Sequence, residues 1–195
     1  DTPTPHRSIR SEHPNARWEV DASICVVYYL PSGCVIEDMD KAAYYKNKPQ
    51  NFAAIAQDRV IRYVLTDHAS GVARWRYYPG AECGQHTVAF LSWCVAPKAD
   101  KRDPFHGAPK RLVLDAGADN GMVRRWCGLL DIELHVTRVH NSRGKGSVEK
   151  AQDLVERNFE SGLRLQRQRV DGFDALNTLA ARYQLYWNAT AKHSR

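Results

Sequence analysis

Short β-branched and aromatic runs alternate along the chain with longer stretches of helical spacing. Trp18 to Leu30 (WEVDASICVVYYL) is dense in residues that suit a pleated surface and predicts a strand. Pro31-Ser32-Gly33 turns the chain, and Cys34 to Ile36 is expected to return as a hairpin partner. The stretch 31–57 reads as an insertion after that first strand, with residues 37–57 polar and irregular around a single helical turn. Arg59 to Thr66 (RVIRYVLT) and Val72 to Tyr78 (VARWRYY) predict two strands joined through Asp67-His68-Ala69-Ser70-Gly71 as an antiparallel hairpin. Val88, Leu91, Trp93 and Val95 predict a helix over 81–95, and Pro97 to Lys110 is a charged loop punctuated by proline and glycine. Arg111 to Leu114 (RLVL) predicts a short buried strand, Gly121 to Leu130 a helix and Ile132 to Thr137 (IELHVT) a fifth strand. His140 to Gly146 is a polar loop. Ser147 is expected to N-cap a helix from Val148 to about Leu165, and Leu176 to Asn188 forms a last amphipathic helix. This order describes an α/β fold: a mixed five-stranded sheet flanked by helices, with the first strand central and the fourth beside it.

Composition narrows the class without naming a function. A chain of 195 residues suits one large domain with a real core, and its 43% hydrophobic content is that of a globular protein. No stretch approaches the ~18 uncharged apolar residues of a membrane span. Residues 1–17 are polar, hold three prolines and lack an apolar core segment, so they read as a flexible lead-in to a domain over 18–195 rather than a signal peptide. The five cysteines (Cys25, Cys34, Cys83, Cys94, Cys127) are odd in number and form no CxxC, which argues for a reducing compartment and against a structural zinc site. Most are expected to be buried small hydrophobes. A formal charge of +6 and a pI near 9.1 are compatible with a polyanion partner without requiring one.

Three acids occupy unusual positions. Asp21 interrupts an apolar strand, Asp115 ends another, and Glu149 lies in the first turn of a helix after a basic, glycine-containing loop. Each has an ordinary explanation: an acid paired with an arginine, a turn former ahead of Gly117, or an acid favoured by the helix dipole. Together they are more specific. Gathered carboxylates repel one another unless divalent cations neutralise them, and hard oxygen donors favour Mg²⁺ or Mn²⁺. Two such ions suit phosphoryl transfer.

Several segments carry a family resemblance. Trp18-Glu19-Val20-Asp21 resembles the first-strand W-x-x-D of the retroviral integrase and bacterial transposase core, which has an RNase H-like fold. Asn141 to Lys150 (NSRGKGSVEK) resembles the N-x-x-x-x-G-x-V-E segment that carries the family's glutamate. Asp67 to Gly71 resembles its D-x-x-S-G hairpin, and Tyr186-Trp187-Asn188 with His193-Ser194 resembles its Y-x-N…H-S stretch. The likeness spans about residues 18–195 and is nearest to transposases of Mu-like phages and related bacterial elements. It implies a DDE enzyme that cleaves DNA 3′ ends and transfers strands, with Asp21, Asp115 and Glu149 as catalytic and metal-holding residues. It further implies two Mg²⁺ or Mn²⁺ ions when DNA is bound, no small-molecule cofactor, and a homo-multimer on element ends and target DNA in the bacterial cytoplasm. Asp119-Asn120-Gly121 also matches the D-N-G of integrases, so Asp119 stands as the alternative to Asp115. The interval to Glu149 is 149 − 115 = 34 from one and 149 − 119 = 30 from the other, and the family spacing is near the first. The chain is expected to be a piece of a longer protein whose end-recognition domains lie elsewhere.

Around these acids, Arg143 and Lys145 are expected to contact DNA phosphates. Asp153 and Arg157 are spaced to pair on a helix. Trp75, Tyr77, Tyr78, Tyr183, Tyr186 and Trp187 are read as packing residues rather than base-stacking ones. Two rival functions share the motifs: an RNase H-like or resolvase-like nuclease that only hydrolyses, and a non-catalytic DNA-binding or assembly module.

Overall fold

The computed structural model describes residues 11–25, 27–29, 36–38, 60–117, 121–137, 146–165 and 170–191. The strands are β1 (Arg17–Ile24), β2 (Val27–Tyr29), β3 (Ile36–Asp38), β4 (Val60–Asp67), β5 (Ala73–Pro79), β6 (Arg111–Asp115) and β7 (Glu133–Thr137). The helices are α1 (Gly84–Val95), α2 (Gly121–Leu129), α3 (Gly146–Leu154), α4 (Ser161–Leu165) and α5 (Gly172–Thr190), with a π-helical segment, Val155–Glu160, between α3 and α4. Five strands form one sheet in the order β5-β4-β1-β6-β7, with β1 antiparallel to β4 and parallel to β6. This mixed sheet flanked by helices is an RNase H-like fold, and β1 lies at its centre with β6 beside it, as the sequence predicts.

Period-two alternation splits each strand between two cores. On one face Trp18, Val20, Tyr63, Leu65, Leu112 and Leu114 pack with Phe90 and Leu91 of α1 and Val123 of α2. On the other, Val64, Trp75 and Tyr77 pack with Val148, Val155 and Phe159 of the α3 run and Leu176 and Ala180 of α5. Burial makes Cys94 and Cys127 small hydrophobes: it pushes their thiols up to about 12 and about 11. Trp75 and Tyr77 are core residues, also as predicted.

The hairpin turn between β4 and β5 is built by Asp67. Its fully buried carboxylate accepts the Ala69 and Ser70 N–H groups and the Ser70 hydroxyl on one oxygen, and the Asn15 N–H on the other. Gly71 follows at φ 75°, a conformation that favours glycine. Asn15 also bonds the His106 carbonyl and the Trp18 indole, so residues 11–16 run against the fold; residues 1–10 and 39–59 lie outside the described residues.

Four details depart from the sequence reading. The strand predicted over 18–30 stops pairing with β4 at Ile24, and β2 then pairs with β3 in a separate two-stranded sheet. A run of β-formers carries no mark of where it changes partner. Ser147 does not N-cap, because the helix has begun at Gly146. The helix predicted to about 165 contains the π segment. Its buried positions 148, 151, 155, 159 and 163 are spaced 3-4-4-4, which would drift around a regular α-helix, and the wider turn keeps them on the core. Tyr186 is 63% exposed, since α5 turns Leu176, Ala180 and Gln184 inward and a residue two positions on points roughly 200° away.

Helix α5 also closes the β5 edge. The carboxamides of Asn188, Gln184 and Asn177 each accept the N–H and donate to the carbonyl of Ala73, Trp75 and Tyr77 respectively. These are the alternate residues whose backbone groups face outward from an edge strand. Asn188, part of the Y-x-N resemblance, therefore has a structural role.

Candidate active site

Parallel pairing sets Arg17 opposite Arg111, Trp18 opposite Leu112 and Glu19 opposite Val113, an offset of 111 − 17 = 94. Continued two residues past the last pair, the same offset, 115 − 21 = 94, corresponds to Asp21 and Asp115 on the neighbouring strand. Asp115 in turn pairs with Thr137 of β7, whose hydroxyl donates to its carboxylate at 2.6 Å. Asp115 is exposed at the strand end and Asp21 is half-buried.

Glu149 reaches this region through the way α3 is anchored on β1. Glu19, on the same face as Asp21, is buried, pairs with Arg17 at 2.9 Å and lies beside the backbone N–H groups of Ser147 and Val148. A carboxylate is favoured beside the N-terminus of a helix. Burial nevertheless raises the Glu19 pKa above the usual carboxylate value, outweighing Arg17 and the two N–H groups. One turn after the exposed Glu149, Gln152 donates to both the backbone oxygen and the Oδ2 of Asp21, each at 3.3 Å. The helix thus lies against Glu19 at its start and is hydrogen-bonded to β1 through Gln152.

Behind Asp21 lies a buried polar network. Gln152 Oε1 accepts from the Arg62 Nε at 2.7 Å and the Ser23 hydroxyl at 3.0 Å, and Arg62 Nη2 donates to Ser23 at 3.0 Å. Arg62 also pairs with Glu160 of the π segment, which accepts the Tyr77 hydroxyl at 2.9 Å. Burial alone lowers the Arg62 pKa, but Glu160, with Tyr77 and Cys25, carries it upward, so the guanidinium stays charged. Tyr77 is held well above its ordinary value by burial and then by Glu160.

Of the predicted residues, the fold brings Asp21 and Asp115 onto adjacent strands and ties the helix of Glu149 to the first of them. Among the described residues, however, no three His, Cys, Asp or Glu side chains stand close enough to hold a metal ion. Asp119, His140, Arg143 and Lys145 lie outside the described residues. Asp153 and Arg157 pair at 2.6 Å. The sequence reading missed Gln152, Arg62, Thr137, Glu160 and Glu19. Gln152 had one signal, its position three residues after Glu149 on a shared helix face. The others gave none, since a polar residue within a strand or helix reads as solvated.

No protein-family model and no curated protein matches the chain. In shape, it is similar to a chain in the cryo-EM structure of the simian T-cell lymphotropic virus intasome in complex with PP2A regulatory subunit B56 gamma, with a TM-score of 0.65 and 15% identity. The likeness covers 97% of this chain and 54% of that one, so this chain spans about half the length of its neighbour. No helix among the described residues is long and apolar enough to cross a membrane. At this identity the likeness is one of fold, and the fold is that of a chain found in a retroviral intasome.

Proposed function

We propose that the chain is the catalytic core of a DDE transposase or integrase of the Mu-like kind, which cleaves DNA 3′ ends and joins them to target DNA. The observation that carries this reading is the β1–β6 register, whose offset, continued two residues past its last pair, corresponds to Asp21 beside Asp115, together with the hydrogen bonds that tie the Glu149 helix to Asp21 through Gln152. Asp115 rather than Asp119 is the second aspartate in this reading, because it ends the strand that pairs with β1.

The donor chemistry fits hard divalent cations: carboxylate oxygens from three elements, with Asp115 and Glu149 open to solvent. Asp21, Asp115 and Glu149 would hold two Mg²⁺ or Mn²⁺ ions once DNA is bound. When present, such ions supply Lewis-acid polarisation of the phosphate and neutralise charge as it develops. The chain's own side chains do the rest. Thr137 holds one oxygen of Asp115, and Gln152 holds one oxygen of Asp21. Arg143 and Lys145, just before α3 in the sequence, contact backbone phosphates, and the net charge of +6 favours approach of DNA. In the reaction a water oxygen bonds to phosphorus at the element end as the 3′ oxygen leaves with a proton. The oxygen of that hydroxyl then attacks a target phosphodiester in line, giving up its proton as the target strand's own 3′ oxygen leaves and takes one, and no covalent protein–DNA bond forms. The active form is a homo-multimer on paired ends.

The test is a strand-transfer assay on the full-length protein with Mg²⁺. Asp21→Asn, Asp115→Asn and Glu149→Gln are each expected to abolish cleavage and joining, whereas Asp119→Asn retains them. Activity surviving Asp21→Asn or Glu149→Gln defeats the proposal. Hydrolysis that never leads to joining replaces it with a nuclease of the same fold. Salt-sensitive DNA binding without any Mn²⁺ binding replaces it with a DNA-binding module.

A further inference from the structure

We infer that Gln152, locked in orientation by Arg62 and Ser23, is a positioning residue for the Asp21 carboxylate; this rests on the metal-holding role proposed for Asp21. A carboxamide has two chemically opposite ends, and its orientation follows from what surrounds it. A guanidinium is a donor at every nitrogen and accepts nothing. Arg62 therefore donates through Nη2 to the Ser23 oxygen and through Nε to Gln152. Ser23, having accepted from Arg62, turns its own proton to Gln152. Both neighbours are donors, so the carboxamide oxygen must face them. The amide nitrogen is then left to face β1, where it meets the backbone oxygen and Oδ2 of Asp21. The direction of every bond in the chain from Arg62 to Asp21 is set by the one group that cannot reverse.

Arg62 is itself fixed. Its side chain is buried, and Glu160 engages it from the π segment. Gln152 and Glu160 are eight positions apart, which in a regular α-helix turns them roughly 80° from each other. A π turn absorbs one extra residue, so the two meet the same guanidinium as residues two α-turns apart would. The widened helix thus has a purpose beyond packing: it lets one arginine be held by Glu160 while it orients Gln152. Through Gln152, one oxygen of Asp21 is occupied by an N–H and the carboxylate plane is constrained. Such partners behind a metal-holding carboxylate typically change metal affinity by roughly 10–100-fold.

Three variants of the full-length protein test this: Gln152→Met, which keeps length and removes both polar ends; Ser23→Ala; and Arg62→Lys, which keeps a cation opposite Glu160 but loses the forked donors. Calorimetry with Mn²⁺ alone reads metal affinity, strand transfer across a Mg²⁺ titration reads the half-saturating concentration, and urea denaturation reads folding. Gln152→Met is expected to weaken Mn²⁺ binding about tenfold or more and raise half-saturating Mg²⁺ in parallel. High Mg²⁺ should restore much of the maximal rate. Ser23→Ala and Arg62→Lys shift both in the same direction by less, and they carry the test if Gln152→Met does not fold. Mn²⁺ affinity and Mg²⁺ dependence within twofold of wild type in the folded variants, while Asp21→Asn abolishes Mn²⁺ binding, overturn the positioning role and leave the active-site reading standing. Undiminished Mn²⁺ binding in Asp21→Asn overturns both.

Discussion

At the β5 edge of the sheet, α5 lays three carboxamides along the strand and pairs the backbone of Ala73, Trp75 and Tyr77 as a neighbouring strand would. At the opposite edge, β7 ends the sheet with Glu133 and His135 exposed, and the adjoining end of β6 presents Asp115 to solvent. One edge is finished against association, and the other carries no such seal among the described residues. A sealed edge removes a template for unwanted strand pairing, while a short, polar edge manages the same hazard yet leaves room for a large partner. The polar groups divide in a similar way: Gln184 is buried in the closed half, Asp115 and Glu149 face water, and the buried Arg62–Glu160 pair reaches toward both. Substitutions in the closed half should therefore be read out in stability, and those at the open end in chemistry.

The largest stability effect is expected from Glu160→Leu, which leaves the buried Arg62 guanidinium without its carboxylate and costs about 3–5 kcal/mol in urea denaturation. Adding Arg62→Met should recover most of that loss, because no uncompensated charge remains; a double variant as unstable as the single one would show that the pair itself is not the cause. Next comes Gln184→Leu. It strands the N–H and carbonyl of Trp75 in the interior and should cost about 2–3 kcal/mol, with some association of the exposed edge visible by light scattering. A loss well under 1 kcal/mol would mean that the seal contributes little. At the open end, Thr137→Val removes the donor to Asp115, but water can replace it there, so about 1 kcal/mol is expected alongside a larger change in strand-transfer rate. The smallest effect belongs to Arg157→Ala. Its pair with Asp153 is exposed, so a few tenths of a kcal/mol are expected, vanishing at high salt.

The sequence motifs turn out to serve different ends. Asp67-His68-Ala69-Ser70-Gly71 is a turn whose aspartate collects N–H groups, and Asn188 seals an edge; neither reaches the candidate active site through any contact described. Asp21 and Asp115 instead lie on adjacent, parallel strands of the central sheet. Gln152 was hidden because a glutamine on a polar-looking helix carries no sign of what it meets, and Arg62 because an arginine inside VIRYVL reads as a surface residue of an edge strand.

By itself, the sequence determined the order of the elements, the alternation that faces each strand toward two cores, and the placing of acids within one strand, at the end of another and at a helix start. These depend on periods of two and 3.6 residues, which neighbouring positions express directly. Only the tertiary structure decided which strands pair at which register, where the long helix widens, and which polar side chains are buried. The partners that settle those matters lie 90 positions apart for Arg62 and Gln152, 98 for Arg62 and Glu160, and 109 for Trp75 and Gln184. A buried polar group is tolerated only where its partner arrives, and no local pattern announces a partner that distant.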